Sequence, residues 1–463
     1  MNIVDKFLEF ENENRLFDKT YKGVHFWHII RMDFWQMILA KQAEYTATAK
    51  KKLSVKRDLG FIFYFLKQFF IQKRKKKYDV LVSTPLVMQI LDDSWINPYT
   101  SFLNSISDIT FKKINHYTDW QKVDRYNWNT SPIRMRSMFT KIRYYLFKES
   151  ADPLLINLIE QINDEFDLEI CPTDYAIKIQ KSTHEFIAYK NYYKRLIHRR
   201  FKLIFMTCHY SFEHFALTAA AKELSIPVIE YQHGVITLSD ISYNVLNQTQ
   251  YYPLFPDYIF TYSDYWNNLT HLPFHCLCLT TGNPMLDEFR KKIMKIAQKD
   301  NFTIIIYSTP ILSERLSHLA LQLKNILGND YRIIYKLHPA ECLNWESKYQ
   351  SLVQSGIQVL YQPINSQNLM RDYQYHIGVG SATLFEATAF NNNIYIMDVN
   401  FFSQYTADLV EKRYALRFHT STELALMILH AQIPPNYNPD RYYAADSLKK
   451  MAITLDKILN SSN

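Results

Sequence analysis

A lysine, a histidine and a proline follow a short apolar run in the second half of the chain. Lys336, His338 and Pro339 end the sequence YRIIYKLHP, whose first part has the length and composition of a buried strand. Proline is favoured in the first turn of a helix, where unpaired N–H groups and the helix dipole attract anions. Imidazole and ammonium groups at the same place would donate to phosphate oxygens. The motif predicts one half of a phosphate site, although a His-Pro dipeptide is also typical of a turn that binds nothing.

A second motif, rich in hydroxyl groups, lies further along the chain. Gly380, Ser381 and Thr383 follow another apolar run, and the whole chain contains only eight glycines. Glycine lets the backbone approach a ligand, and serine and threonine add hydrogen-bond donors at a helix start. We expect this turn to supply the other half of the phosphate site. Glu386, on the same segment, either binds the ribose of a nucleotide or bonds back to the backbone at Thr383 in a capping box.

Candidate catalytic residues lie in the first half of the chain. His233, within the sequence QHG, follows an apolar run of strand length. A histidine whose pKa is near neutrality can take a proton from an acceptor hydroxyl, although a turn histidine bonded to the backbone would show the same pattern. Glu213 is the alternative catalytic base. His214, Asp92 and Asp93 are further candidates, and surface positions on helices are the simpler interpretation for them and for Glu213.

The sequence predicts neither a bound metal ion nor a cofactor. One group of residues superficially resembles a set of metal ligands: His271, His275, Cys276 and Cys278. The two cysteines alternate along a predicted strand, and the spacing is not that of a zinc site. The chain also lacks an Asp-x-Asp motif that would hold a divalent cation against a diphosphate. We expect helix dipoles, His338 and Lys336 to stabilise the charge of a departing phosphate instead.

Strands and helices alternate from residue 78 onward. Apolar runs of strand length occur at 78–84, 201–207, 226–231, 256–263, 274–284, 302–308, 331–337, 357–361, 375–380 and 393–399. Such strands, separated by helices, predict parallel doubly wound sheets whose ligands bind at the carboxyl ends of the strands. The pattern predicts two facing Rossmann-like domains, 78–285 and 286–463, with a C-terminal helix that returns across the hinge. Residues 85–200 show no pattern from which strands can be assigned.

The positive charge is concentrated before the first predicted strand. The 463-residue chain has a net charge of +8, and residues 41–77 contribute twelve basic and two acidic residues, or +10, which leaves −2 for the rest. A nucleic-acid-binding protein would carry basic residues over its recognition surface, so this class is excluded. Residues 1–77 are predicted to be helical. The aromatic, basic part of this segment is either a buried helix followed by a solvated charge run or an interfacial helix that contacts anionic lipid.

Cysteine usage and the N-terminal sequence indicate a cytoplasmic protein. The five cysteines show no disulfide pattern, and the first residues are acidic and polar where a signal peptide would be basic and then apolar. The longest apolar run, at 59–66, is far shorter than the ~20 residues of a spanning helix. We expect a cytoplasmic location, with peripheral association at the inner membrane face as the open alternative.

Four motifs in a fixed order carry a resemblance to a known group of enzymes. They are QHG at 232–234, GNPMLD at 282–287, KLHP at 336–339 and GSATLFEA at 380–387. Together they resemble GT-B glycosyltransferases of bacterial surface-polysaccharide synthesis, in particular polysialyltransferases, capsule Kdo transferases and CDP-glycerol glycerophosphotransferases. The resemblance implies an α/β fold of the GT-B type. It also implies metal-independent transfer of a sugar from a CMP- or CDP-type donor to a surface-polysaccharide or lipid-linked glycan acceptor.

The same resemblance implies roles for single residues. His338 and the turn at Ser381 and Thr383 would bind the donor phosphates, Glu386 would bind the ribose, and His233 would be the general base. In sialyl-type relatives the base is a carboxylate of the first domain, which keeps Glu213 as an alternative. Three other functions stay open at this point: a UDP-sugar 2-epimerase, a CDP-glycerol glycerophosphotransferase and a non-catalytic polysaccharide-assembly protein.

Overall fold

The computed structural model describes residues 3–42, 76–85, 89–91, 94–116, 128–129, 150–293, 299–343, 345–362, 364–435 and 438–461. Asp92 and Asp93 lie outside these ranges, as does most of the basic segment 41–77. The predictions made for them therefore stay predictions. None of the helices in the described ranges is long and apolar enough to span a bilayer.

The first half of the chain forms a seven-stranded parallel sheet. Its strands and one separate hairpin are β1 (Val80–Pro85), β2 (Gln89–Leu91), β3 (Ser94–Ile96), β4 (Phe111–His116), β5 (Trp128–Asn129), β6 (Leu203–Met206), β7 (Val228–Tyr231), β8 (Tyr258–Thr261) and β9 (Leu277–Thr280). The sheet order is β5-β4-β1-β6-β7-β8-β9, and all its neighbouring strands pair in parallel. Strands β2 and β3 pair antiparallel as the hairpin.

The second half forms a six-stranded parallel sheet. Its strands are β10 (Asp300–Tyr307), β11 (Arg332–Lys336), β12 (Gln358–Leu360), β13 (Tyr373–Gly378), β14 (Asn393–Met397) and β15 (Leu416–Phe418), in the order β12-β11-β10-β13-β14-β15. The strand order reverses between β10 and β13, and in the first sheet between β1 and β6. Such switch points open a crevice at the carboxyl ends of the strands. The fold therefore offers one ligand crevice in each domain.

Helices cover both sheets and connect their strands. They are α1 (Ile3–Glu13), α2 (Phe26–Gln42), α3 (Pro153–Phe166), α4 (Pro172–Ile197), α5 (Phe212–Lys222), α6 (Asp264–Asn267), α7 (Pro284–Ile293), α8 (Ser313–Leu327), α9 (Trp345–Lys348), α10 (Gln350–Gln354), α11 (Ser366–Asp372), α12 (Ala382–Thr388), α13 (Ala407–Glu411), α14 (Ser421–Leu429) and α15 (Ser447–Ser461). Alternate residues of the central strands face opposite sides, so Leu81 packs with α4 and α5 while Val80 and Val82 belong to a core on the other face. Both faces of the first sheet are thus buried, as expected of a parallel sheet.

The two-domain α/β architecture predicted from the sequence is confirmed. Each of the ten apolar runs overlaps an observed strand. Strand β4 was not predicted because Lys112 and Lys113 interrupt its apolar character, and of the residues whose burial is described only Ile114 is fully buried. Lys113 can occupy this strand because its ammonium group donates a hydrogen bond to the Thr100 carbonyl at 3.0 Å.

The segment before α15 returns to the first domain. The Trp266 indole donates to the carbonyl of Tyr442 at 2.9 Å, and the Ser263 hydroxyl donates to the carbonyl of Arg441 at 2.7 Å. Gly282 has a φ of +80°, and a Cβ there would lie 2.2 Å from the Ser447 hydroxyl oxygen. Glycine is therefore required both by the backbone conformation and by the close approach of α15.

Helices α1 and α2 are joined to the first domain by a buried ion pair. Arg31 donates to both carboxylate oxygens of Glu11, at 2.5 and 2.6 Å, and the two side chains are almost fully buried. Arg31 also donates to the carbonyls of Ile241 at 2.5 Å and Asn244 at 2.9 Å. Because that loop follows His233 in the chain, the N-terminal helices support the part of the first domain that carries His233.

Replacing Arg31 with methionine is expected to lower the free energy of unfolding by roughly 3–5 kcal/mol, because Glu11 would stay buried without its cation. Burial already raises the pKa of Glu11, an effect that Arg31 opposes. Urea denaturation measures the difference. Arg15→Met is the control, since the Arg15 side chain is 79% exposed and should change stability by less than about 0.5 kcal/mol. Equal effects of the two substitutions would contradict a stabilising role of the pair.

Candidate functional site

A fully buried carboxylate, Glu230 of β7, is the centre of the polar cluster in the first domain. The imidazole Nδ1 of His209 contacts one carboxylate oxygen of Glu230, and the backbone N–H of His209 donates to the other at 3.2 Å. The Tyr243 hydroxyl donates to that same oxygen at 2.8 Å. On the cleft side, Nδ1 of His233 lies 3.5 Å from it. Glu230 therefore joins a buried histidine to one that is 22% exposed.

The charges of this cluster depend on one another. Burial alone would raise the pKa of Glu230, but the charge and hydrogen bond of His209, together with His233, hold it well below its usual range. Burial would lower the pKa of His233, yet the neighbouring Cys208 thiol and Glu230 carboxylate raise that pKa to about 10. The sequence led us to expect a value near neutrality. The difference arises because Glu230, read from the sequence only as part of a strand, stabilises the imidazolium.

The alternative catalytic residues Glu213 and His214 lie in the first turn of α5. His214 is buried and not on the surface as the simpler interpretation had it: its Nδ1–H donates to the Cys208 carbonyl at 3.0 Å, and Nε2 lies 3.1 Å from the Ser83 hydroxyl. Burial lowers the pKa of His214 to about 4, so it is neutral. Glu213 is half-buried beside Tyr193 of α4, whose pKa its charge raises in addition to burial. We place both in the support of the α5 turn.

In the second domain, Lys336 ends β11 and His338 begins a turn. Nδ1 of His338 accepts a hydrogen bond from the backbone N–H of Ala340 at 3.2 Å. The neutral ring therefore carries its proton on Nε2. Burial lowers the pKa of His338, with Glu341 opposing and Lys336 adding to this effect, which keeps the ring neutral. The helix expected at Pro339 is only a 3₁₀ turn, Pro339–Glu341, so it contributes local N–H donors but no helix macrodipole.

The turn at His338 is held by Glu341, a residue that the sequence did not single out. Its buried carboxylate accepts from the Ser308 hydroxyl, from the Tyr349 hydroxyl at 2.5 Å and from the Lys348 ammonium group at 3.1 Å. These bonds connect the ends of β10 and β11, next to the switch point. Glu341 thus anchors the turn from which the His338 side chain projects. Its position within the sequence HPAE is the only local signal of this role.

Ser381 and Gly380 shape the turn after β13. The Ser381 hydroxyl accepts from the backbone N–H of Thr383 at 3.3 Å and caps the seven-residue helix α12. The hydroxyl proton of Ser381 is still able to donate to a ligand. A Cβ on Gly380 would lie 2.9 Å from the carbonyl oxygen of Phe402 and 3.3 Å from the Tyr405 Cβ. Gly380 is therefore required by the neighbouring loop, a reason independent of the ligand approach expected from the sequence.

Glu386 does not close a capping box. The N-cap of α12 is Ser381 and not Thr383, and the Glu386 carboxylate instead accepts from the Gln367 side-chain amide at 3.3 Å. Burial raises the pKa of Glu386 to about 7, with Gln367 and Lys336 opposing. The capping interpretation is therefore wrong. The carboxylate lies among polar groups of the second domain and retains acceptor capacity.

Replacing Glu386 with glutamine is expected to stabilise the protein more at pH 8 than at pH 5. The folded protein binds the Glu386 proton up to about pH 7, whereas the unfolded chain releases it near the ordinary value of 4.5. Stability therefore falls as pH rises through this window, by roughly 1–3 kcal/mol for a half-buried group. Urea denaturation at both pH values measures it. The exposed Glu346→Gln is the control, and a pH-independent difference for Glu386→Gln would contradict the raised pKa.

Tyr99 is a further first-domain residue in contact with His233. Its hydroxyl donates to the His233 carbonyl at 3.3 Å, and its ring meets the His233 imidazole edge-on at a centroid distance of 6.4 Å. Burial and then the charge of Glu386 raise the pKa of Tyr99. Contacts between the loop after His233 and the loop beside Gly380 place the two clusters on facing walls of the cleft.

Loops behind the clusters also touch. The Tyr405 hydroxyl donates to the Ser239 carbonyl at 3.1 Å, and the Ser239 hydroxyl donates to the Gln404 side-chain oxygen at 3.4 Å. Ser239 follows His233 in the first domain, while Tyr405 packs against Gly380 in the second. The loop that contains Tyr405 therefore contacts both the turn at Gly380 and the loop after His233.

No group of three or more His, Cys, Asp or Glu residues in the described ranges is arranged to hold a metal ion. Cys276 is buried, and burial raises the pKa of the Cys276 and Cys278 thiols. His275 donates to or accepts from no cysteine in the described contacts; its Nε2 pairs with the Tyr252 carbonyl at 3.1 Å. These positions belong to the packing of β9.

No protein-family model matches the sequence, and neither does any curated protein. Solved structures do share the architecture. The S. aureus MnaA–UDP complex aligns with a TM-score of 0.50 at 11% identity, over 83% of this chain and 97% of that chain. The UDP-GlcNAc 2-epimerase from Neisseria meningitidis bound to UDP-GlcNAc gives 0.48 at 13% identity, over 82% and 100%. The wall teichoic acid polymerase TagF gives 0.46 at 11% identity, over 89% and 99%. The chain has the GT-B fold.

In this GT-B chain, residues from the ends of neighbouring strands form each cluster. His209 follows β6 and His233 follows β7, beside the switch point of the first sheet. Lys336 ends β11 and Ser381 follows β13, on the two sides of β10 in the second sheet. Since β-strand ends are rigid, the fold can hold donors and acceptors of hydrogen bonds in fixed positions on both walls of the cleft.

Proposed function

We propose that this GT-B protein is a metal-independent glycosyltransferase that moves a sugar from a nucleotide-activated donor to a glycan acceptor. The observation that carries the proposal is the opposition of two polar clusters across the cleft, one around His233 and Glu230 and the other around Lys336, His338 and Glu386. One wall offers a histidine paired with a carboxylate. The other offers side chains that can donate hydrogen bonds to a phosphate, beside a second carboxylate. These are the groups that such a transfer needs.

The second domain would bind the donor. His338 presents Nε2–H, Lys336 an ammonium group and Ser381 a hydroxyl, all of which donate to phosphate oxygens. Glu386 would accept hydrogen bonds from ribose hydroxyl groups. This role requires that its carboxylate does not cap the helix, as is the case here. As negative charge develops on the departing phosphate, His338 and Lys336 would stabilise it by hydrogen bonds that strengthen in the transition state.

The first domain would activate the acceptor. In a single displacement, the acceptor oxygen forms a bond to the anomeric carbon while the bond to the donor phosphate breaks, and the acceptor proton passes to His233. Glu230 would orient the ring and stabilise the imidazolium that results. With a pKa of about 10, His233 holds a proton at neutral pH most of the time, so the small neutral fraction would perform this step.

Further assignments belong to the same proposal. We assign residues 286–463 to a CMP- or CDP-type donor and residues 78–285 to a surface-polysaccharide or lipid-linked acceptor, with no cofactor. The protein would work in the cytoplasm, and residues 41–77 would hold it at an anionic membrane surface. The resemblance of the KLHP and GSAT motifs supports the donor class. The twelve basic residues of 41–77 support the membrane contact.

A thermal-shift screen tests the function first. CMP, CDP, UDP, GDP and their sugars are each added to the full chain, because a ligand that binds only the folded protein raises its melting temperature. We expect a cytidine nucleotide to give the largest shift and its sugar to be consumed only when acceptor glycan is present. Conversion of a UDP-sugar without acceptor would indicate a 2-epimerase. Absence of any nucleotide shift would contradict an enzyme of this class.

A further inference from the structure

Glu230 lies between two histidines of different exposure. His209, 1% exposed, places Nδ1 against one carboxylate oxygen, and His233 places Nδ1 3.5 Å from the other. Tyr243 donates to the oxygen that faces His233. The Nδ1 atom of His233 is itself buried and has no hydrogen-bond partner of normal length. One carboxylate is thus shared unequally by two imidazoles.

A buried carboxylate needs a compensating positive charge, since an isolated one is strongly disfavoured. Either histidine can supply it, and the two compete because Glu230 carries a single negative charge. A proton on His209 neutralises Glu230 and weakens its pull on the proton of His233. When His209 is neutral, the whole charge of Glu230 acts on His233. The two imidazoles therefore compete for one carboxylate.

We propose that His209 is a positioning residue that shares the charge of Glu230 with His233 and thereby sets the pH range in which His233 can accept a proton. The proposal deepens the function proposed above, because it concerns the base of that site. The bond geometry carries it: His209 has the closer contact with Glu230, and it lies where no acceptor can reach it. His209 would act through Glu230 and not on the substrate.

Other titratable groups face His233 and are not expected to play this part. They are Tyr99, Cys208, Tyr210, His214 and Asp240. The tyrosines have raised pKa values because they are buried, and His214 is neutral. Burial also raises the pKa of Asp240. Cys208 also influences the pKa of His233 and is unchanged in every variant below, so it does not distinguish them.

Diethyl pyrocarbonate tests the proposal, because it acylates only the neutral imidazole. The full chain is treated at pH 8, and mass spectrometry of peptides gives the rate for His233 relative to His419, whose side chain is 64% exposed. His209→Asn keeps an amide donor near the Nδ1 position but removes the titratable ring. We expect it to slow acylation of His233 about tenfold, one unit of pKa. Glu230→Gln should accelerate it at least tenfold.

Two controls separate charge from structure. Tyr243→Phe removes a hydrogen bond to Glu230 without changing a charge near neutrality, and it should alter the His233 rate less than twofold. If His209→Asn does not fold, NMR of His233→Gln with ¹³C-labelled histidine replaces it, because His233 itself would give an imidazolium signal at pH 8. A solvent-protected imidazolium signal that persists at pH 8 in this variant and is lost when Glu230→Gln is added supports the proposal.

An unchanged or faster His233 reaction in folded His209→Asn would overturn the proposal, as would the lack of a protected imidazolium signal. Neither measurement needs a donor or an acceptor, so the result stands even if the chain transfers no sugar. In an active transferase, His209→Asn should also shift the pH–rate profile upward by about one unit with little change in KM for the donor. A loss of activity without that shift would indicate a merely structural role.

Discussion

Replacing His233 with glutamine is expected to lower kcat/KM for sugar transfer by a factor of roughly 10²–10⁴, the usual contribution of a positioned general base. Glutamine keeps polar atoms and similar bulk beside Glu230 but cannot take a proton. Nucleotide binding should be unchanged, because Lys336 and His338, which would bind it, lie in the other domain. Initial rates with a saturating donor and a thermal-shift titration of the nucleotide measure the two effects separately.

The pH dependence gives the same prediction a second measurement. Because the pKa of His233 is about 10, the reactive neutral form increases with pH, and kcat/KM should rise about tenfold per pH unit between pH 6 and 9. His233→Gln should lose this slope, whereas the control His419→Gln, at an exposed position, should keep both rate and slope. A wild-type rate that falls over this range would indicate that His233 acts as a cation, which contradicts the base role.

The strand pattern was predictable because both sheets are parallel and buried on both faces. In β10 the residues Ile304, Ile305 and Ile306 are all fully buried, so the strand appears in the sequence as a continuous apolar run. Strand ends could then be located, and with them His233 and Lys336. The sequence could not show Tyr99, because it belongs to a segment with short strands and little periodicity.

The centre of the polar cluster in the first domain, Glu230, could not be predicted for a different reason. Glu230 sits within the run IPVIEY and reads as an ordinary strand residue, and its partner His209 comes from another strand end. Only the pairing of β6 with β7 brings them together. The pKa of His233 follows from that pairing, so no pattern around His233 itself could have predicted it. Charge networks between strands are tertiary features.

The two helix starts expected at the donor site are shorter than the sequence suggested. After Pro339 the chain forms one 3₁₀ turn, in which the Glu341 side chain bonds back to Ser308 and to Tyr349. Those hydrogen bonds hold Glu341 in the turn. In a longer α-helix its side chain would point in a different direction and could not form them. In the proposed function, side-chain donors, above all His338, would then supply much of the phosphate stabilisation that the sequence led us to expect from helix dipoles.

Replacing His338 with alanine is therefore expected to weaken nucleotide binding about 10- to 100-fold, the effect of removing a hydrogen bond to a charged group. It should also lower kcat/KM for transfer by roughly 10²–10³, since the bond would strengthen as charge develops on the phosphate. Calorimetry gives the first effect and initial rates give the second. The chain offers His318→Ala on α8 as a control of the same type at an exposed position in the same domain.

The two substitutions together locate the step that each histidine serves. Loss of Nε2–H at position 338 must affect donor binding and turnover, whereas loss of the base at position 233 must affect turnover alone. If His338→Ala binds the nucleotide as tightly as His318→Ala does, the donor phosphates lie elsewhere and the opposition of the two clusters has another purpose. If His338→Ala binds the nucleotide weakly but transfers sugar at the wild-type rate when saturated, His338 stabilises the ground state and the transition state equally. Lys336 would then be left to stabilise the departing phosphate.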